Sequence, residues 1–240
     1  MRNSLVIPDC LTLMNVGNTH IQVADSKGVR IIPTGEADSQ KLFQPGKKIA
    51  AASVVPEWSR ILREKDAFIV SPEHCGGMDL TLIDSSTVGA DRLANAVAAM
   101  EYDRLPVVVI DFGTAITFEV VDAQRRFAGG AILPGRALLR KALNAGTAQL
   151  PLIDRDEDNV PEIGRNTKEA ILLGVDRGVT GSVQAVLTSI LNTVEGGQAT
   201  VIGTGGDLGF FKKTIGNMID GGADFTLRGI LRAWKFDGEK

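Results

Sequence analysis

The stretch Val107 to Asp122, VVVIDFGTAITFEVVD, sets the tightest limit on what this chain can fold into. Four apolar residues, Val107 to Ile110, run straight into Asp111, Phe112, Gly113 and Thr114, and a second run follows with polar side chains at Thr117 and Glu119. Continuous Val/Ile character marks a strand buried on both faces, and the glycine permits a tight turn, so the stretch reads as a β-hairpin. An Asp ending a buried strand, followed by small residues with free backbone N–H groups, can hold a metal ion while the turn receives phosphate oxygens.

The same pattern occurs near the start, in LTLMNVGNTHIQVADSKG. Sliding one stretch on the other by ninety-six residues sets Leu13 on Val109, Asn15 on Asp111, Gly17 on Gly113, Asn18 on Thr114 and Val23 on Glu119, with Asp25 one place past Val120. A period that long is the spacing of two duplicated domains, not of a solenoid repeat. At 240 residues the chain accommodates one large domain or two smaller ones, and the internal copy decides for two, over 1–104 and 105–240. Two such turns facing across a cleft would hold a polyphosphate between them, as in the actin, sugar-kinase and acetate-kinase superfamily.

Composition narrows the partners. A hydrophobic share of 44% with 23% charged residues is that of an ordinary globular protein. The net charge of -3 and the lack of a Lys/Arg cluster argue against nucleic acid. No long apolar run interrupts Met1 to Leu13, so neither a signal peptide nor a membrane span is expected there, and residues 1–9 read as a loose lead-in. Cys10 and Cys75 lie in unlike contexts, which points to a reducing cytoplasm rather than to a disulfide or a metal knuckle. His20 and His74 read as turn or surface residues.

Along the chain, Ile21 to Ala24 and Val29 to Ile32 are expected strands, with Ser26, Lys27 and Gly28 between them. Residues 33–48 are turn-rich. Ile49 to Val55 is a strand, and Pro56 opens a helix running to about Lys65. Ala67 to Val70 follows as a strand. From Asp91, the spacing of Leu93, Ala94, Val97 and Ala98 predicts a helix. Gly129 to Leu133 is a strand, and Arg136 to Asn144 a helix whose apolar face carries Leu138, Leu139, Ala142 and Leu143, ended by Gly146. The acidic run Asp154 to Asn159 reads as a solvated loop. Asn166 and Glu169 have capping-box spacing before a long apolar pattern through Ile171, Val175, Val179, Val183, Val186 and Ile190. Gly174, Gly178 and Gly181 on one side of that helix weaken it by roughly 1 kcal/mol each, so another backbone is expected to approach there, within the domain or from a second subunit. Thr200 to Ile202 is the last clear strand, entering the turn Gly203, Thr204, Gly205, Gly206, Asp207, a suitable wall for ribose and base. Neither a Walker A spacing nor a dinucleotide fingerprint is present.

The matches that carry a family resemblance run through most of the chain: Gly17-Asn18-Thr19; Ser53 to Pro56; Gly89-Ala90-Asp91-Arg92; Asp111, Gly113, Thr114, Ala115 and Thr117; Gly129-Gly130, Ile132, Pro134 and Gly135; Leu150-Pro151; Gly164, Asn166 and Thr167; and Thr204 to Asp207. In order and spacing the chain resembles the type III pantothenate kinases. That resemblance implies an α/β fold of two duplicated actin-like ATPase (ribonuclease H-like) domains, each a mixed sheet flanked by helices. It implies a homodimer that phosphorylates pantothenate with ATP, using Mg²⁺ and a monovalent cation, K⁺ or NH₄⁺, at the first step of coenzyme A synthesis. Asp91 would be the general base, with Gly89, Ala90 and Arg92 placing the substrate and Thr167 reaching the pocket of a neighbouring subunit. Asp111 would hold a cation; Asn15, Gly17, Asn18, Thr19, Gly113 and Thr114 would serve the phosphates, and Gly205 and Gly206 the adenosine. Two positions depart from the family's pattern. Asn15 stands where an Asp usually serves the Mg²⁺ site, and Leu82 where a tyrosine usually faces the substrate. The departures set beside the active enzyme two further readings: a member that binds or regulates without catalysis, and a kinase for another small hydroxy acid.

Overall fold

The computed structural model describes residues 5–238. Two five-stranded sheets carry the duplication. The first holds β1 (Leu11–Val16), β2 (His20–Asp25), β3 (Gly28–Pro33), β4 (Lys48–Ser53) and β5 (Phe68–Ile69) in the order β3-β2-β1-β4-β5. The second holds β6 (Val107–Phe112), β7 (Ala115–Val121), β8 (Phe127–Pro134), β9 (Thr200–Thr204) and β10 (Ile219–Asp220) in the order β10-β9-β6-β7-β8. In each, an antiparallel meander is followed by a parallel strand beside the first: β1 pairs β2 antiparallel and β4 parallel, as β6 pairs β7 and β9.

The helices are α1 (Ser39–Leu42), α2 (Pro56–Glu64), α3 (Ala90–Ala99), α4 (Arg136–Ala145), α5 (Thr167–Leu172), α6 (Gly178–Leu191), α7 (Leu208–Phe211) and α8 (Phe225–Ala233). Three apolar clusters order the layers. Trp58 and Leu62 of α2 cover the outer face of the first sheet. Helices α5 and α6 cover the outer face of the second with Ile171, Val179 and Val183. Between the sheets lies the largest cluster, where α3 and α8 pack together. The run of small residues in α3 permits that crossing. A Cβ on Gly229 of α8 would lie 1.8 Å from Ala94 O, so only glycine lets the two backbones touch.

The strand registers correct the sliding of the two copies. Leu13 pairs with Ala24 while Val109 pairs with Glu119, so the counterpart of Glu119 is Ala24 rather than Val23. The cause is turn length: Gly17 N donates to His20 O, whereas Gly113 N donates to Ala115 O, one residue sooner. Other expectations also change. Of the loose lead-in over residues 1–9, residues 1–4 lie outside the described residues, and Ile7 is buried in the central cluster. The strand β10 and helix α8 follow what was expected to be the last clear strand. The residues buried on α4 are Arg136 and Arg140, while Leu138 is exposed; Leu139 and Leu143 are only partly buried.

The acidic run is not simply solvated, because its backbone and Asp158 accept hydrogen bonds from those two arginines. The long helix from Thr167 is capped as expected, with Asn166 Oδ1 accepting from Glu169 N at 2.9 Å. It is interrupted by a π-helical turn over Leu173–Arg177, which turns Asp176 fully into the interior. Thr167–Leu191 is long and apolar enough to cross a bilayer by length and composition alone; here Ile171, Val179 and Val183 pack on the second sheet. Along it, a Cβ on Gly174, Gly178 or Gly181 would meet nothing within 4 Å. No backbone of the described chain approaches these glycines, so packing within the domain does not account for them.

Candidate active site

Three turns converge at the strand ends. Gly17, Asn18 and Thr19 follow β1, Gly113 and Thr114 follow β6, and Gly205 and Gly206 follow β9. The first two touch: the hydroxyls of Thr19 and Thr114 are 2.8 Å apart, and both residues are exposed. The third closes on the second. Asp207 N donates to Phe112 O at 2.9 Å, and a Cβ on Gly205 would lie 2.4 Å from Asp111 Oδ1. Gly205 has φ +94°, so both conformation and space exclude a side chain there. The turns thus bring the exposed hydroxyls of Thr19 and Thr114 together, donors of the kind that bind phosphate oxygens, while the N–H groups of Gly17 and Gly113 are taken up by hydrogen bonds within their own turns.

The acidic groups lie behind that surface. Gly89 is the N-cap of α3, which sets Asp91 in its first turn, half-buried, with Oδ1 accepting from Arg92 N at 2.8 Å. Burial pushes the Asp91 carboxyl above the ordinary carboxylate range, against the pull of the Arg92 N–H and guanidinium. Asp111 Oδ2 accepts from Asn95 Nδ2 at 3.2 Å, and Asn95 Oδ1 accepts from Thr226 Oγ1 at 2.8 Å, which ties the site to α8. Burial pushes Asp111 up to about 6, with the Asn95 hydrogen bond opposing and the like charge of Asp91 adding. Glu119 is wholly buried and is pushed up to about 8 by that burial, while Arg92 pulls it down. Arg92 does not face water. Its Nε donates to Glu119 Oε1 at 2.9 Å and its Nη2 to Phe118 O at 3.0 Å.

Asn15 stands at the end of β1, where Asp111 stands on β6. Its Nδ2 donates to Gln22 Oε1 at 3.4 Å, and Gln22 Nε2 donates to Ala223 O at 3.1 Å. The position is therefore polar and uncharged. Among the described residues no group of three or more His, Cys, Asp or Glu is suited to a metal. Asp111, recessed and with one hydrogen-bond donor on Oδ2, is a carboxylate at the end of a turn-bearing strand that could hold a cation.

Thr167 stands apart from these groups. With Leu133, Leu139, Gly174 and Gly178 it lines an apolar groove of about 540 Å³ beside the long helix. Leu82 is 49% exposed. Sequence reasoning passed over Asn95, Glu119, Arg136 and Gln22. Asn95 could have been found, since it lies one helical turn after Asp91 on the same face of α3. Glu119 was visible only as a polar residue in an apolar strand.

A duplicated α/β fold in which paired glycine-containing turns meet at the strand ends beside two recessed carboxylates is an actin-like fold, the class to which many ATP-using phosphotransferases belong. Solved structures agree on the fold: a Baf family protein from Campylobacter jejuni superposes with a TM-score of 0.69 at 21% identity, covering 95% of this chain and 100% of its own. The activator of the 2-hydroxyisocaproyl-CoA dehydratase from Clostridium difficile, with bound ADPNP, gives 0.56 at 16% identity over 95% and 94%. The family is more specific. The model of the type III pantothenate kinases matches residues 11–189, and the type III pantothenate kinase of Akkermansia muciniphila is 36% identical over 208 residues, 83% of this chain and 85% of its own length. The chain belongs to the type III pantothenate kinase family.

Proposed function

We propose that this protein transfers the γ-phosphoryl group of ATP to the primary hydroxyl of pantothenate, giving 4′-phosphopantothenate and ADP at the first step of coenzyme A synthesis. The observation that carries this reading is the contact of the Thr19 and Thr114 turns in front of Asp91 and Asp111, in a chain of this family. Phosphoryl transfer asks little covalent chemistry of the protein and much positioning. Asp91 takes the hydroxyl proton as that oxygen attacks the γ-phosphorus in line with the leaving β-phosphate oxygen. A carboxylate raised by burial is a better proton acceptor near neutral pH than an ordinary one. Gly17, Asn18, Thr19, Gly113 and Thr114 hold the phosphates, Gly205 and Gly206 lie against adenosine, and Gly89 and Ala90 place pantothenate.

Arg92, through Glu119, holds the first turn of α3 against β7 and so keeps Asp91 in place. Asp111 is where Mg²⁺ or a monovalent cation, K⁺ or NH₄⁺, would be held; when bound, a cation supplies charge neutralisation for the phosphates. Asn15 adds only an amide oxygen to that site.

The enzyme acts as a homodimer in which Thr167 completes the neighbouring subunit's pantothenate pocket. Support comes from the open faces of Gly174 and Gly178 and the apolar groove beside them. The division at 1–104 and 105–240 is supported by each sheet's lying wholly on one side of it. The free thiols of Cys10 and Cys75 suit a cytoplasmic setting. The test is a coupled ADP-release assay with and without pantothenate across Mg²⁺ and K⁺ concentrations. Release that depends on pantothenate is expected, and release indifferent to it would overturn the reading.

A further inference from the structure

Helix α4 begins hard against the second phosphate turn. Gly135 N donates to Thr114 O at 2.9 Å, and a Cβ on Gly135 would lie 2.5 Å from Gly113 O. The next residue, Arg136, is 2% exposed and grips the third turn: its Nε donates to Asp207 Oδ2 at 2.8 Å and its Nη2 to Asp207 Oδ1 at 2.6 Å. Nη1 donates to Asp158 Oδ1 at 2.9 Å and Asp176 Oδ2 at 3.4 Å, and the guanidinium lies over the Phe210 ring, 3.6 Å from its centroid. Arg140, also buried, holds both oxygens of Asp176 from the other side. On the outer side of the turn, Arg155 donates to Gly206 O and lies 3.8 Å from Asp207 Oδ1.

We infer that Arg136 and Asp207 form a clasp that fixes the spacing between the Gly113–Thr114 turn and the Gly205–Gly206 turn, and thereby sets how much tighter a nucleoside triphosphate binds than its triphosphate alone. The inference rests on the nucleotide reading of those turns given above. Buried ion pairs contribute little net stability compared with apolar packing of the same volume, so their use here is one of geometry. A forked guanidinium–carboxylate pair has one planar arrangement, and at both ends this pair is anchored to main chain that abuts the nucleotide surface. A ligand touching both turns gains from their being held at the right separation before it arrives, because no ordering remains to be done on binding. A ligand touching only the phosphate turns gains nothing from the clasp. Arg136 and Asp207 are positioning residues, and they act on ATP rather than on the acceptor alcohol.

The test compares ATP with inorganic tripolyphosphate by titration calorimetry on the full chain, with Mg²⁺ present, for wild type, Asp207→Asn and Arg155→Gln. Asp207→Asn should weaken ATP by about tenfold, the size of one lost aligning hydrogen bond to a charged group, with tripolyphosphate affinity and the KM for pantothenate unchanged. The Arg155 side chain is 43% exposed and holds no core position, so its variant is expected to fold; it should shift the ATP-to-tripolyphosphate ratio the same way by about threefold. Parallel loss of both ligands in Asp207→Asn would reveal simple destabilisation and overturn the clasp, as would an unchanged ATP affinity. If Asp207→Asn does not fold, an unchanged ratio in Arg155→Gln overturns it. Wild type that binds neither ligand would sink the nucleotide reading itself, and the clasp with it.

Discussion

Glu119 allows a quantitative test through pH. It sits at 0% exposure with Oε1 on Arg92, while Oε2 has no hydrogen-bond partner among the described residues. Burial moves its carboxyl from 4.5 to about 8, against the pull of Arg92. Between those values the folded protein holds a proton that the unfolded chain has released, so stability falls as pH rises across this window and levels off above it. At about 1.4 kcal/mol per pH unit the window is worth on the order of 4 kcal/mol, or about 10 °C in Tm for a chain of this size. Glu119→Gln resembles the protonated acid, keeps an acceptor for Arg92 and cannot ionise. Its Tm should therefore fall by about 10 °C less than that of wild type between pH 5 and pH 8. Asp111, raised to about 6, contributes with the same sign in both proteins, and the part of the Glu119 shift that comes from the Asp111 charge is read in the same difference. Scanning calorimetry at matched ionic strength reads the result. Parallel curves, or wild type gaining stability toward pH 8, would refute the account of Glu119 as a carboxyl held neutral by burial.

Three further outcomes are expected. Asp91→Asn should lower turnover by about a hundredfold or more with the fold intact, and the acid limb of the wild-type kcat/KM profile should lie above pH 3.8 because burial raises the Asp91 carboxyl. Near-normal turnover in that variant would move the base elsewhere. Asn15→Asp should tighten Mg·ATP or lower the Mg²⁺ requirement, since a carboxylate attracts a hard cation more strongly than an amide does. Silence with pantothenate but turnover with another hydroxy acid would show that Leu82 has altered the acceptor pocket. A Cβ on Gly178 would meet nothing within 4 Å among the described residues, so Gly178→Glu should fold normally and sediment as a monomer where the wild type is expected to be a dimer. Wild type that is monomeric at micromolar concentration would remove the basis for a role of Thr167 across subunits.

What the amino-acid order determined by itself was whatever depends on neighbours close in sequence. The apolar run into Asp111 and Gly113 specified a strand and turn, Pro56 opened α2, which ends at Glu64 against an expected Lys65, and Asn166 with Glu169 capped α5. The duplication was legible because the two hairpins share a pattern, although sliding without a gap misplaced Val23, since a turn one residue longer leaves no mark on the apolar periodicity. Tertiary structure decided the polar interior. Arg136 and Arg140, one helical turn apart, look like a solvent face by hydropathy. They are buried because Asp176 and Asp207, 40 and 71 residues beyond Arg136, supply the opposite charges. Glu119 looks misplaced in its strand until Arg92 arrives from a helix 27 residues earlier. The charges of Arg136, Arg140 and Asp176 enter a low-dielectric interior only with their partners, whereas Glu119 enters as a neutral acid that accepts from Arg92; in both cases the partner is chosen by the fold rather than by sequence spacing.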